Sequence, residues 1–357
     1  VKEKQPIPVF VVFSKPNHLP RMRNHPVSIN DIARALGVSA STVSRALRDH
    51  PDINAETRQR VHAYAREVNY RPNALAVGLK HHRTFTLGII VPEIVHHFFS
   101  SIISGIENIA YGKGYRVMMC QSNEDHEREQ LNLQALIDHR VDGLLVSPSK
   151  TTADDRHFRW ALNAQVPLVF FDRFLESVPS DRVVTDDLQG ARIVTTHMIR
   201  RGCRRILHLA ATQQLMVGRE RCQGYLQALE DHGIEASDEL ILLCDTPYKV
   251  EAARDRILQL APGIDGIFCV NDFSAVAVIK LLQEAGYQIP GQIAVTGFGD
   301  DPIASIVQPR LTTIEQKGYE MGQEAARLLL ARIENQETEA DYQTKIFPVT
   351  LKVRDSA

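Results

Sequence analysis

The stretch Gly37–Leu47, GVSASTVSRAL, sets four hydroxyl side chains and an arginine around an apolar beat of Val43, Ala46 and Leu47. Serine and threonine compete with the backbone for hydrogen bonds and are indifferent helix formers, so stability alone does not select them. Short hydroxyls do let a helix approach a phosphate backbone closely and donate to it. An arginine on the same surface pairs bidentately with a guanine edge. The outward positions, opposite the Val43/Leu47 face, are Ala40, Ser41, Ser44 and Arg45. That chemistry is the reading of a nucleic-acid duplex.

A second constellation stands further along, directly after apolar runs. It comprises the loop VPEIVHHFF (91–99), Asp172-Arg173 after PLVFF, Asn271-Asp272 after IFCV and Gly299-Asp300 after AVTGF, with Arg219 and Arg221 beyond RRILHLA. Carboxylates, an amide and guanidinium groups beside Phe98 and Phe99 suit a small polar ligand with an apolar face. No nucleophile, base and orienting group stand at recognisable spacing, so no catalytic residues are assigned and the chain reads as no enzyme. The histidine pairs His81-His82 and His96-His97 lack further ligands at metal spacing, and no CxxC pair occurs. No metal site is therefore expected. With no GxGxxG after a strand and no P-loop, no cofactor is expected either.

The elements that position the first set are short helices. In SINDIARALGV, Ser28 is an N-cap, Asp31 the third helical residue, and Ile32, Ala33 and Leu36 one apolar face. Gly37 supplies the turn, Ser39 caps the next helix, and a third starts at Asn54 with Val61, Ala65 and Val68 at helical spacing. Three helices with a tight turn between the first two match a helix-turn-helix. Beyond them, NYRPNALAVGLK holds a helical pattern over Asn73–Leu79 that is too short to be stable alone. It orders only against a partner, with Leu79 either a wedge for the minor groove or a packing residue against the body.

From Phe85 short apolar runs (FTLGIIV, YRVMMC, DGLLVS, PLVFFD) alternate with helical stretches, and a second such set follows (RRILHLA, ELILLCD, IDGIFCV, QIAVTGF). Two rounds of β-α repetition predict two doubly wound α/β lobes with buried parallel strands and a ligand cleft outside their carboxyl ends. Charge divides along the same line. Residues 1–83 carry 14 Lys and Arg against 6 Asp and Glu, while the remainder carries 27 against 37. A basic head on an acidic body points to an anionic partner for the head alone. Five scattered cysteines indicate reduced thiols, and no apolar run approaches a membrane span. Residues 1–26 read as a disordered extension without the marks of a secretion signal, with Met22 an alternative start.

These motifs together resemble the lactose/galactose repressor (LacI/GalR) family of transcriptional regulators, from VSINDIARALGVSASTVSRAL through NAETRQRV and NYRPNALAVGL to about residue 354. The resemblance implies a helix-turn-helix head (27–71), a hinge helix and linker (72–84) and a periplasmic-binding-protein-like body (85–357). Lobe 1 would take about 85–184 and 315–342, and lobe 2 about 185–314 and 343–357. It implies that Ser28, Asn30, Ser39, Thr42, Ser44, Asn54 and Thr57 hold phosphates and that Ala40, Ser41 and Arg45 read major-groove edges. Tyr70 joins the DNA contacts, and Asn73, Ala76 and Leu79 enter the minor groove. In the body it implies that Phe98, Phe99, Asp172, Arg221 (in R-x-x-G), Asn271 and Asp272 bind an effector. The motif GFG departs from the family's GYD or GFD and puts Gly299 at the acidic position, so that either Asp300 substitutes for it or the effector is not a plain hexose. The implied protein is a cytoplasmic homodimeric repressor. It grips a pseudo-palindromic operator in double-stranded DNA and is controlled by a carbohydrate-like effector, without membrane association. The implied segment 308–330 crosses back to the first lobe, and no leucine-heptad tail for a tetramer follows. A periplasmic-type solute-binding protein is the alternative.

Overall fold

The chain is seen as a computed structural model that describes residues 27–70, 83–335 and 341–357. It divides into two compact units, one ending at His82 and the other beginning at Arg83. The extension 1–26 and the hinge positions Asn73, Ala76 and Leu79 lie outside the described residues.

In the first unit, helices α1 (Ile29–Leu36), α2 (Ala40–Ala46) and α3 (Ala55–Glu67) start where local chemistry dictates. Ser28 Oγ accepts the Asp31 N–H at 3.3 Å while the Ser28 N–H donates to Asp31 Oδ2 at 2.9 Å, a reciprocal capping box. Ser39 Oγ accepts the Thr42 N–H at 3.0 Å, and Asn54 Oδ1 that of Thr57 at 2.7 Å. Gly37 closes α1 at φ 67°, a left-handed conformation that glycine adopts freely. Ile32, Ala33, Val43, Ala46, Val61 and Ala65 form the small core.

The second unit begins β1 (Thr86–Val91), α4 (His97–Gly112), β2 (Arg116–Gln121), α5 (His126–Asp138), β3 (Gly143–Val146), α6 (Arg156–Asn163), β4 (Leu168–Phe171) and β5 (Asp181–Thr185). It continues with α7 (Asp187–Arg200), β6 (Ile206–Ala210), α8 (Met216–Asp231), β7 (Ile241–Leu243), α9 (Pro247–Ala252), α10 (Arg254–Leu260), β8 (Gly266–Cys269) and α11 (Asp272–Glu284). Then come β9 (Ala294–Thr296), α12 (Ile303–Ile306), β10 (Thr313–Glu315), α13 (Gly318–Asn335), β11 (Thr344–Phe347) and β12 (Thr350–Lys352). None of the described helices is long and apolar enough to cross a membrane.

The strands form a sheet ordered β11-β5-β4-β3-β1-β2 and another ordered β7-β6-β8-β9, both with parallel pairing throughout, and a small antiparallel pair β10-β12. Parallel sheets need cover on both faces, which explains the unbroken apolar runs. Apolar clusters flank each sheet, among them Leu87, Ile89, Val169 and Leu329 in one lobe and Leu207, Ile267, Val278 and Val295 in the other. Two expectations need correction. YRVMMC is an edge strand, with Met119 exposed, because β2 has a neighbour on one side only. The first lobe also reclaims the chain after 342, since β11 pairs with β5 before β12 returns to the second lobe.

Helices α4 and α13 cross with backbone almost on backbone. A methyl group at Gly105 would run into the Tyr319 carbonyl oxygen, and one at Gly322 into that of Ile102. Gly105→Ala is therefore expected to lower the stability of the body by about 1–3 kcal/mol through overpacking. Gly112→Ala, on the same helix with open space around it, is expected to be neutral or slightly stabilising. Urea unfolding of the two variants checks this, and equal midpoints would mean that the crossing yields without strain.

Candidate functional site

In a doubly wound sheet, the crevice opens where the strand order reverses, outside the carboxyl ends. Here the reversals lie between β1 and β3 in one lobe and between β6 and β8 in the other. A cleft of about 770 Å³, counting space open to solvent, lies at both. It is lined from the loop after β1 (His96, Phe98, Phe99), after β3 (Lys150), after β6 (Leu215, Arg221) and after β8 (Asn271, Phe273). The neighbouring strand ends add Asp172 and Arg173, Asp245, Phe298, Gly299 and Asp301, and Gln316.

Asp172 follows β4 at φ 62°, a conformation uncommon outside glycine and frequent where function holds a side chain in place. Its carboxylate is buried, with Ser147 Oγ and Arg173 Nε both at 3.5 Å. Burial pushes the carboxyl up to about 6, against the pull of Arg173. Arg173 itself is committed to Glu124 through two short contacts of 2.8 and 3.1 Å. Asp172 is thus an under-partnered acceptor facing the cleft.

On the opposite wall Arg221 is buried over the Phe298 ring, 3.7 Å from its centroid. Its Nε and one terminal nitrogen meet Asp187 Oδ1 at 2.7 Å, and the other donates to the Val270 carbonyl at 2.6 Å. A guanidinium has five N–H donors, so two remain for a ligand. Asn271 spends its oxygen on capping α11 and its amide on the Asp245 carbonyl, yet still lines the wall.

Two sequence-predicted residues do not reach the cleft. Asp272 is fully buried and holds the 297–301 loop instead, accepting from Thr313 Oγ1 at 2.5 Å and from the Asp301 N–H at 2.8 Å. Asp300 turns away to Arg354, 2.6 Å distant. The reason is backbone geometry: φ of 138° at Gly299 and 54° at Asp300 swing the next residue, Asp301, into the cleft. Burial raises the Asp301 carboxyl against the pull of the His97 backbone N–H from the facing lobe. Sequence reasoning also passed over Lys150, Asp245 and Phe273, although each closely follows an apolar run.

In the first unit Ser28, Asn30, Ser39, Ser41, Arg45 and Asn54 are exposed, and Thr42, Ser44 and Thr57 are half-buried. Ser28, Ser39 and Asn54 cap helices, so the positions expected to hold phosphates, Ser44 apart, lie at helix N-termini, where anions are favoured. Ser44 accepts from Arg48 at 2.6 Å. Ala40 and Tyr70 instead pack half-buried against the core. Among the described residues, metal-ligating side chains gather at His126, Glu129 and His157, whose ligand atoms lie within 4.8 Å of one another. None of the three lines the cleft.

Residues 28–73 match the bacterial regulatory proteins of the lacI family, and residues 195–357 match a periplasmic binding protein-like domain. The HTH-type transcriptional repressor PurR of Vibrio atlanticus is 32% identical over 329 residues, covering 90% of this chain and 95% of that protein. The chain belongs to the lacI family of bacterial regulatory proteins. As a lacI-family protein it is a DNA-binding transcriptional regulator, which sets aside the solute-binding alternative. The lac repressor dimer bound to operator and the anti-inducer ONPF aligns with a TM-score of 0.80 at 25% identity, covering 93% of this chain and 99% of that one. A complex of the transcriptional regulator CelR with cellobiose aligns with a TM-score of 0.69 at 29% identity, over 93% and 100% of the two chains.

The carboxyls of Asp172 and Asp187 are raised to about 6 and that of Asp272 to about 7, burial being the largest cause in each. An unfolded aspartate titrates near ~3.9. Each group thus binds its proton more tightly when folded. Its contribution to stability is full below about pH 4 and is lost as pH rises through the folded value. Asp172→Asn is expected to stabilise this lacI-family body by about 1–3 kcal/mol at pH 8 and hardly at all at pH 4. Urea titrations at both pH values measure the difference, and a pH-independent effect would show that the Asp172 charge is not the source.

Proposed function

We propose that this regulator binds a pseudo-palindromic operator as a homodimer and that a carbohydrate held in the cleft sets its affinity for DNA. The cleft carries the reading. Phe98 and Phe273 offer apolar faces, while Asp172, Asp301 and the two spare N–H groups of Arg221 offer edges for hydroxyls. Such an arrangement grips both faces of a sugar ring without demanding charge. Two of the aligned regulators support it: CelR in complex with cellobiose and the lac repressor dimer bound to operator. The site is read as one for binding rather than turnover, and the protein as acting where the DNA is, in the cytoplasm.

In this reading α2 enters the major groove, Ser41 and Arg45 meet base edges, and Ser28, Asn30, Ser39, Thr42, Ser44, Asn54 and Thr57 meet phosphates. Asn73, Ala76 and Leu79 belong to the minor groove. The effector acts by binding one arrangement of the lobes more tightly than the other, with a coupling of about 1–3 kcal/mol.

Arg45→Ala is expected to weaken operator binding about 10–100-fold, from one lost bidentate pair of about 1–3 kcal/mol, and to leave random DNA nearly unaffected. Fluorescence anisotropy on both duplexes reads this, and equal losses would remove Arg45 from base readout. For the cleft, a thermal-shift panel of mono- and disaccharides is expected to yield a binder. Arg221→Lys keeps the charge beside Asp187 but loses the planar fork. It is expected to lose most of the response to that sugar while gripping the operator as before. A panel without a single binder would sink the carbohydrate assignment.

A further inference from the structure

We propose that the first lobe holds a divalent first-row transition metal, with zinc the fitting ion, between His126, Glu129 and His157. Helix α5 places His126 and Glu129 one turn apart on the same face, and α6 brings His157 from the other side. His157 Nε2 lies 2.9 Å from Glu129 Oε1, and His126 Nδ1 lies 4.0 Å from the same oxygen. The two imidazoles meet edge to face at 5.2 Å. Glu129 is fully buried, and the side chains of His157 and His126 are 6% and 16% exposed. Two imidazoles and a carboxylate with room for a fourth ligand form a donor set that suits zinc.

The surroundings orient Glu129 and His126, whereas the outer nitrogen of His157, Nδ1, is buried without a partner. Glu129 Oε2 accepts the Ser149 N–H at 2.6 Å, and Oε1 accepts the Thr152 hydroxyl at 2.9 Å. His126 Nδ1 is buried and has no hydrogen-bond partner, while its Nε2 lies 2.9 Å from the Gln130 side-chain amide. With that amide turned so that its oxygen accepts from Nε2–H, Nδ1 presents its lone pair to the Glu129–His157 pair. Such outer partners fix the tautomer of a metal-bound histidine. A plain carboxylate–imidazole pair would account for Glu129 and His157 but leave the buried nitrogen of His126 without purpose. A metal uses all three. It also fastens the segment from Ser149 to Thr152, which carries Lys150 to the wall of the cleft.

The test uses the full chain without a histidine tag, stripped by a chelator and titrated with Zn²⁺ by calorimetry and with Co²⁺ in the visible range. One equivalent of Zn²⁺ per chain is expected at this site. His126→Ala and His157→Ala should each weaken it at least about tenfold, the lower bound for loss of even an outer partner. Bound Co²⁺ should give the intense bands of a low-coordinate ion in the parent and lose them in His126→Ala. That variant decides the matter if His157→Ala fails to fold, because the orphaned nitrogen of His126 supports nothing in the metal-free fold. Absence of uptake by the parent, or equal uptake by parent and His126→Ala, overturns the proposal.

Discussion

Arg221 is a nearly buried cation at the wall of the cleft, and its charge is tolerable because separate elements close round it. Asp187 opens α7, Val270 follows β8, Phe298 follows β9, and Arg221 itself rides on α8. Removing Asp187 would leave this desolvated charge without its counter-ion, which is strongly destabilising. The spacing R-x-x-G acquires a physical reason here. Gly224 stands one turn beyond Arg221 on the same helical face, and a methyl group there would strike the Leu188 carbonyl oxygen. The glycine lets α8 lie against α7, and only at that separation does the guanidinium reach Asp187. The second wall of the cleft is thus a consequence of helix packing as much as of the polar residues that line it.

Much of this was legible because it is local. Caps at Ser28, Ser39 and Asn54 depend on residues three positions away, and apolar runs between helical periods predict parallel strands whose ends carry the residues that line the cleft. What escaped depends on dihedral angles or on distant pairing. Whether Asp300 or Asp301 faces the cleft is decided by the left-handed backbone at Gly299 and Asp300, and no hydropathy pattern records it. Asn271 and Asp272 part company because the first caps α11 while the second is turned into the body against Thr313. Strand β11 is four residues long and completes its sheet from far along the chain, beyond the reach of periodicity. The triad of His126, Glu129 and His157 joins two helices across β3, so that only its i,i+3 half is a sequence pattern.

The contacts that span the cleft share a property that bears on switching. Lys150 reaches across to Asp245 at 2.9 Å, yet Lys150 also lies 3.8 Å from Glu124 in its own lobe. Asp245 likewise keeps Lys249, at 2.6 Å, on its own side. Separating the lobes therefore leaves neither charge without a partner, and the large penalty for an orphaned buried ion does not arise. His96 against Phe273, with ring centroids 5.4 Å apart, is a modest aromatic contact of the same kind. In the proposed reading, a cleft joined by exchangeable pairs has two arrangements close in free energy. A ligand that adds hydrogen bonds to both walls at once, from Asp172 on one and Arg221 on the other, then needs only a small differential affinity to choose between them. Within the proposed reading, that near-balance makes occupancy of the cleft a signal.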